Sequence, residues 1–463
     1  MSHAGALAGG FECLQKAVSP SAFHDSGSRP DPPQCHPNTR TAVINKIMDW
    51  ILGLGVEDQN TVILWLYGPA GAGKSAIAGV IANRCELKKL LLASFFFSRS
   101  DPAINNSKSF IATIAYQIAL KIPETRERIV ATIEQDPLIL TRSLEAQVTA
   151  LIVEPLRGPL EGGYFNEPTS RRLIIIDGLD ECHTPAVQCN ILQVISLLFH
   201  KYHLPLLILV SSRPESHLTL SFTTGLLPEF HTTLALDNTY KPDDDIRCFL
   251  IDKFSQVKST HPIGRYLDHS WPSVGVLEQL VEKSSGQFIY ASTVVKYVSS
   301  IHHQPADRLD VILGIRPPRH ARDMPFGELD ALYVNIFASV EDREAVLLIL
   351  GFCLLPERLL ASLYTPVDLG DLEHFFLLNR GDIEMLFGNL RSLVIISNVK
   401  PYIHLLHAAL GDFLLDPARS KEFYIDLSII HTTCMQLCVQ YNKPCTLSYS
   451  PSKEVTAIVW VNP

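Results

Sequence analysis

The residues best suited to chemistry stand in LYGPAGAGKSAIA, where Gly68, Gly73, Lys74 and Ser75 keep the spacing G-x-x-x-x-G-K-[ST]. Glycines here let the backbone turn tightly, so successive N–H groups point at phosphate oxygens, and a helix starting at the loop adds its positive end. The stretch Gly68, Pro69, Ala70, Gly71, Ala72, Gly73, Lys74, Ser75 and Ala76 is therefore assigned to a phosphate chain, with Lys74 reaching the β and γ phosphates. Ser75 offers a hydroxyl to Mg²⁺, an ion that keeps several waters and takes one or two protein ligands. A second ligand is needed. In RRLIIIDGLDEC, the apolar residues Leu173 to Ile176 carry Asp177 to the carboxyl end of a buried strand, the place of a Walker B aspartate. Asp180 and Glu181 follow on the turn and are expected jointly to orient or deprotonate an attacking water. Arg213 closes LLILVSSR. A cation there would sense or stabilise the γ phosphate, although strand-end arginines also pair with carboxylates.

These residues need a scaffold. Apolar runs at Val62 to Tyr67, Leu90 to Phe97, Leu173 to Ile176, Leu206 to Val210 and Thr232 to Leu236 alternate with helical segments near Lys74 to Arg84, Ser109 to Lys121, Leu144 to Val153 and Ala186 to His200. Continuous apolar strands between helices imply a parallel sheet covered on both faces. The expected fold class is thus α/β, a P-loop NTPase parallel sheet flanked by helices, over residues 39–240. Residues 1–38, rich in Ser, Pro, Gly and His, read as an irregular leader with room for a short helix around Phe11 to Val18. Beyond 240 the strands fade: a helical subdomain is expected over 241–325 and a winged-helix-like unit over 326–430, with a C-terminal helix and tail over 431–463. The Pro-rich segment Ile315 to Asp330 marks the first of these boundaries.

Composition excludes several classes. A net charge of −9 with both signs interspersed offers no basic face, so nucleic acid is not an expected partner. Ten cysteines form no C-x-x-C pair and read as free thiols of a reducing compartment. No apolar run approaches the roughly 20 residues of a membrane span, and no secretory leader is evident, so a cytoplasmic location is expected. No internal repeat of period 20 to 50 is visible. His404 and His407 lie three apart but lack a third ligand nearby, which argues against zinc, and spacing alone makes His407 a core or cap histidine. Cys434 and Cys438 read as packing, Phe95 to Phe97 as strand core, and Arg171 with Arg172 as a solvated strand start.

Taken together, GPAGAGKS, LIIIDGLDEC and LVSSRPE resemble the NACHT-domain, STAND-class P-loop NTPases, most of all their fungal branch. Gly178 after Asp177, and the acidic pair that follows, resemble the NACHT form of Walker B. The flanks SAFHDSGSRPDPPQCHPNTR and LLHAALGDFLLDPARS are also similar to stretches that bracket the domain in fungal members. The resemblance implies ATP or ADP with Mg²⁺ as ligands, Arg213 as sensor 1, and His407 as a winged-helix histidine that touches the β phosphate of ADP in a closed state. It further implies an ADP/ATP-controlled signalling switch in fungal innate immunity or programmed cell death, with slow hydrolysis, self-association on activation, and effector or sensor proteins as partners. A P-loop motor and a nucleotide-dependent scaffold without hydrolysis are the alternatives. One departure stands out: where related switches contact the base through G-x-P, this chain has SGQFIYAS, with Gly286 and Phe288 but no proline.

Overall fold

Alternate residues of the first four apolar runs face opposite cores, which is why those runs are continuous, whereas the run at Thr232 to Leu236 buries Leu234 and Leu236 on one side only. Ile63 and Trp65 join one buried cluster with Phe95, Ile174, Ile176 and Val210. Leu64 and Leu66 join another with Phe96, Leu173, Ile175 and Leu209. Side chains alternate across a strand, so a strand covered on both faces needs apolar residues at every position.

The computed structural model describes residues 3–28, 33–54, 61–99, 101–167, 170–224, 227–315, 325–355, 368–397, 403–406 and 408–441. They divide into two compact units, Met1–Phe249 with Gly286–Phe288, and Leu250–Ser285 with Ile289–Pro463. In the first unit, β1 (Ile63–Tyr67), β2 (Leu91–Phe96), β3 (Leu173–Asp177), β4 (Leu207–Ser212) and β5 (His231–Ala235) form one sheet in the order β2-β3-β4-β1-β5. All four pairings are parallel. This is the expected α/β architecture, a parallel sheet flanked by helices. Because β4 lies between β1 and β3, the loop after β1 and the acidic end of β3 open on the same carboxyl edge, with the end of β4 between them.

Helices α2 (Thr41–Ile51) and α3 (Lys74–Leu87) cover one face through Val43, Ile47, Ile77 and Ile81. The other face is covered by α4 (Phe110–Lys121), α5 (Pro123–Gln135), α8 (Pro185–His200) and α9 (Ser216–Thr223). There Phe222 of α9 stacks on Trp65 with ring centroids 4.2 Å apart. The helix expected over Leu144 to Val153 continues further. It runs as α6 (Leu144–Val148), a π turn at Thr149–Val153 and α7 (Glu154–Glu161), with Pro155 and Pro159 beyond the π turn.

The leader departs from expectation. The short helix allowed around Phe11 to Val18 is present but begins earlier, as α1 (His3–Ala17), with Leu14 fully buried and Phe11 stacked on Tyr116. Gly9 and Gly10 weaken the local helix signal, but Gly10 is what lets α1 approach α5. A Cβ there would stand 2.9 Å from both Val130 and its carbonyl oxygen. Packing supplies the helix that propensity does not.

The second unit is helical, with Tyr333, Phe337, Phe375, Phe387, Phe413 and Phe423 buried. It includes helices Val274–Ser284, Gly327–Phe337, Arg343–Leu354 and Leu427–Tyr441. A helix at Asp382–Leu386 precedes an antiparallel pair, β6 (Val394–Ile396) and β7 (Ile403–Leu405), and Ala408–Leu414 follows, the element order expected of a winged-helix-like unit. His407 and most of the Pro-rich segment lie outside the described residues. Among the described residues, no helix is long and apolar enough to cross a membrane.

Candidate functional site

The loop between β1 and α3 is shaped by its glycines. Gly71 (φ 75°) and Gly73 (φ 91°) take left-handed conformations that side chains resist. Gly68 is tight for a different reason: a Cβ would come within 2.9 Å of the Leu236 Cβ. Lys74 opens α3, and its Nζ donates to the carbonyls of Gly68 and Pro69, each at 2.9 Å. The ammonium thus closes the loop on itself. Burial pushes Lys74 down to about 8, against the pull of nearby Asp180.

A buried guanidinium holds the loop from outside. Arg40, which the sequence reading did not single out, donates from Nη2 to the Ala72 carbonyl at 2.9 Å and lies 5.0 Å from the centre of the Phe288 ring. Its main-chain N–H donates to Asp245 Oδ2 at 2.9 Å. Arg40 Nε and Nη1 are buried and have no hydrogen-bond partner among the described residues.

Across the sheet edge, Asp177 ends β3 and is 2% exposed. It accepts hydrogen bonds from the Ser211 hydroxyl of β4 and from Ser75. Burial raises its carboxyl above the usual range, while those hydroxyls and Lys74 oppose the rise. Ser75 and Asp177, expected from sequence to share Mg²⁺, are therefore in contact. A hydroxyl beside a buried carboxylate next to the loop suits an ion that needs few protein ligands, and the donors are the oxygens that Mg²⁺ prefers.

The turn after β3 is held more tightly. Gly178 is left-handed (φ 67°), and Leu179–Glu181 form one 3₁₀ turn. Both oxygens of Asp180 are met by one residue: Arg213 donates from its main-chain N–H to Oδ1 at 3.0 Å, and its guanidinium Nε forms an ion pair with Oδ2 at 3.1 Å. Of the two roles open to Arg213 from sequence, this arrangement shows carboxylate pairing. Glu181 is half-buried and accepts from the Arg99 main-chain N–H at 3.0 Å, and the Arg99 guanidinium donates to the Asp180 carbonyl at 3.0 Å. Burial and the Asp180 charge raise the Glu181 carboxyl.

Glu215 is a further carboxyl that sequence reasoning missed. Its side chain is 18% exposed, and burial with the Asp180 charge raises it to about 7, while Arg213, Arg99 and Lys74 pull it down. Arg99, Glu215 and His217 follow strand ends and Ser211 lies in the last two residues of β4, so only their place at or after apolar runs could have flagged them.

Comparisons place these features among known proteins. The family described as nephrocystin 3, N-terminal, matches residues 46–213, from α2 to Arg213. That stretch carries both the loop and the acidic turn. No curated protein matches the chain. Among solved structures, the Cdc6 protein from Pyrobaculum aerophilum shares 12% identity at a TM-score of 0.33, covering 90% of this chain and 98% of that one. The ORC2 protein from Aeropyrum pernix, solved as ADPNP-ADP complexes, shares 14% at 0.43, covering 90% of this chain and all 100% of the other.

Proposed function

We propose that the chain binds ATP and ADP with Mg²⁺ between the loop Gly68–Ser75 and Asp177, hydrolyses ATP slowly, and uses the difference between the two nucleotides as a signalling switch. One observation carries the binding reading: the glycine-shaped loop, the buried Lys74 ammonium and the Ser75–Asp177 pair meet at one point of the sheet edge. Lys74 would leave the carbonyls of Gly68 and Pro69 for phosphate oxygens, a stronger, charge-assisted partner. Ser75 and Asp177 would hold Mg²⁺, which supplies charge neutralisation on the β and γ phosphates. Asp180 has both oxygens committed to Arg213, so Glu181, with its raised carboxyl, is the better acceptor for the proton of an attacking water. Arg213 would reach a γ phosphate only by giving up some of its hold on Asp180, which favours slow turnover.

The switch rests on the NACHT-type resemblance of LIIIDGLDEC and LVSSRPE, as do the assignment to fungal innate immunity or programmed cell death, the His407 contact to ADP, self-association and the effector or sensor partners. Physically it requires ATP and ADP to prefer different states, since equal affinity shifts nothing. Acid extraction of the purified protein should release ADP, and Lys74→Ala should weaken both nucleotides by at least about tenfold. Unchanged affinity overturns the site. An assembly state that light scattering finds identical with ADP and ATP overturns the switch alone, and rapid turnover favours a motor.

A further inference from the structure

The 3₁₀ turn that carries Asp180 and Glu181 uses the Gly178 and Leu179 carbonyls for its own bonds and leaves the carbonyls that follow to side chains. Two of them, Asp180 O and Cys182 O, are met by one side chain. Gln188 on α8, 3% exposed, donates from Nε2 to Cys182 O at 2.8 Å and to Asp180 O at 3.3 Å. Carbonyls only accept, so the amide nitrogen must face them and its oxygen must face the other way. That oxygen, Oε1, lies 2.6 Å from His217 Nε2. An amide oxygen also only accepts, so His217 must carry its proton on Nε2. Burial lowers His217 against the pull of the Asp180 charge, and the neutral Nε2-protonated ring and the fully protonated ring both donate from Nε2.

His217 lies in the first turn of α9, four residues after Arg213. Two contacts therefore join the segment after β4 to the turn after β3: Arg213 to Asp180 and His217 to Gln188. The first would loosen whenever Arg213 turned to a phosphate. The second involves no group assigned to nucleotide and would persist.

We propose that His217, acting through Gln188, is a positioning residue for the Asp180–Glu181 turn, and that the role requires an N–H donor at the Nε2 position. Without it, the Gln188 amide loses the partner that orients it, and the turn carrying the water-activating carboxylate drifts. Small displacements of this kind cost rate far more than binding. The inference rests on the hydrolytic reading of the site given above.

The test is a trio of variants. Glutamine places its N–H where histidine Nε2 stands, whereas asparagine places it nearer Nδ1, so His217→Gln keeps the donor and His217→Asn moves it. Expected are kcat values reduced about tenfold in His217→Ala and His217→Asn and largely restored in His217→Gln, with ATP affinity within about twofold of wild type throughout. His217→Gln as slow as His217→Ala overturns the proposal, as does a loss of affinity that matches the loss of rate. Wild-type rates in all three overturn it too. A wild-type protein that binds ATP without turning it over refutes this role and leaves nucleotide binding standing. If the wild-type protein binds no nucleotide and Lys74→Ala is indistinguishable from it, the underlying reading has failed as well.

Discussion

Ser211, near the carboxyl end of β4, donates its hydroxyl hydrogen to Asp177 at the end of β3, and the same oxygen accepts from the Gly178 main-chain N–H at 3.3 Å. One hydroxyl thus ties the end of β3 to its neighbour and helps keep the buried Asp177 carboxyl from rising further. Ser211→Ala should remove that restraint. Asp177 would then hold its proton to higher pH, and Mg²⁺, which needs the ionised form, would bind ATP complexes more weakly at a given pH. The expected result is a Mg²⁺ half-saturation raised severalfold, about tenfold at most, with the difference shrinking as pH rises. A Mg²⁺ titration of nucleotide affinity at pH 6.5 and 8.5 checks it.

Lys74 sits near 8 because it is buried. A phosphate beside Nζ favours the charged form, so nucleotide binding at pH 8 to 9 should take up a proton. Affinity should fall as pH climbs past about 8, where the free protein has begun to lose the ammonium charge. Calorimetric titration in buffers of different ionisation heat measures the uptake directly. Lys74→Met should abolish it.

Glu215 gives a stability prediction with the opposite sign from most carboxylates. Its folded-state value, about 7, lies above the ordinary 4.5, so the folded protein holds the proton more tightly than the unfolded chain does. Its contribution is fully present below pH 4.5 and is lost as pH rises toward and through 7. Glu215→Gln keeps the neutral shape at every pH. The variant should match wild type near pH 4.5 and exceed it by about 1–3 kcal/mol at pH 8. Chemical denaturation at the two pH values decides it, and an equal difference at both would exclude the titration as its source.

Legibility in the sequence followed the physics of each part. Strands β1 to β4 were readable because burial on two faces forces continuous apolar runs such as LIIID, β5 (HTTLA) only from its place in the alternation, and the loop from its glycine spacing in GPAGAGKS. Lys74, Ser75 and Asp177 were legible as types at set places after strands. What Arg213 touches was not, since a strand-end cation can meet either a phosphate or an acid, and Asp180 arrives from a different strand. Gln188, His217 and Arg99 take their places only through the order of strands in the sheet, which no local spacing encodes. Of the helix His3–Ala17 only the part from Phe11 onward was legible, because Gly9 and Gly10 weaken its start and its partner, α5, begins more than a hundred residues later.

Arg40 supplies the last prediction. It is 4% exposed, sits at φ 56°, and donates from Nη2 to the Ala72 carbonyl inside the loop between β1 and α3. Burial lowers its affinity for its proton, and Asp245 opposes that. A guanidinium suits this place because its planar fork can reach the Ala72 carbonyl while its face lies over Phe288. Arg40→Lys keeps the charge but neither the fork nor the stacking, so it should behave more like Arg40→Ala than like wild type. Both variants should unfold about 1–3 kcal/mol more easily, and ATP affinity should drop by about tenfold as the Ala72 carbonyl is released and the loop loosens. The Asp245 contact runs through the main chain, so Asp245→Asn, which still offers an oxygen to the Arg40 N–H, should leave affinity nearly unchanged. Denaturant midpoints and nucleotide titrations on the three variants separate the two contacts, and an Arg40→Lys protein with wild-type affinity would show that charge alone, without the fork, maintains the loop.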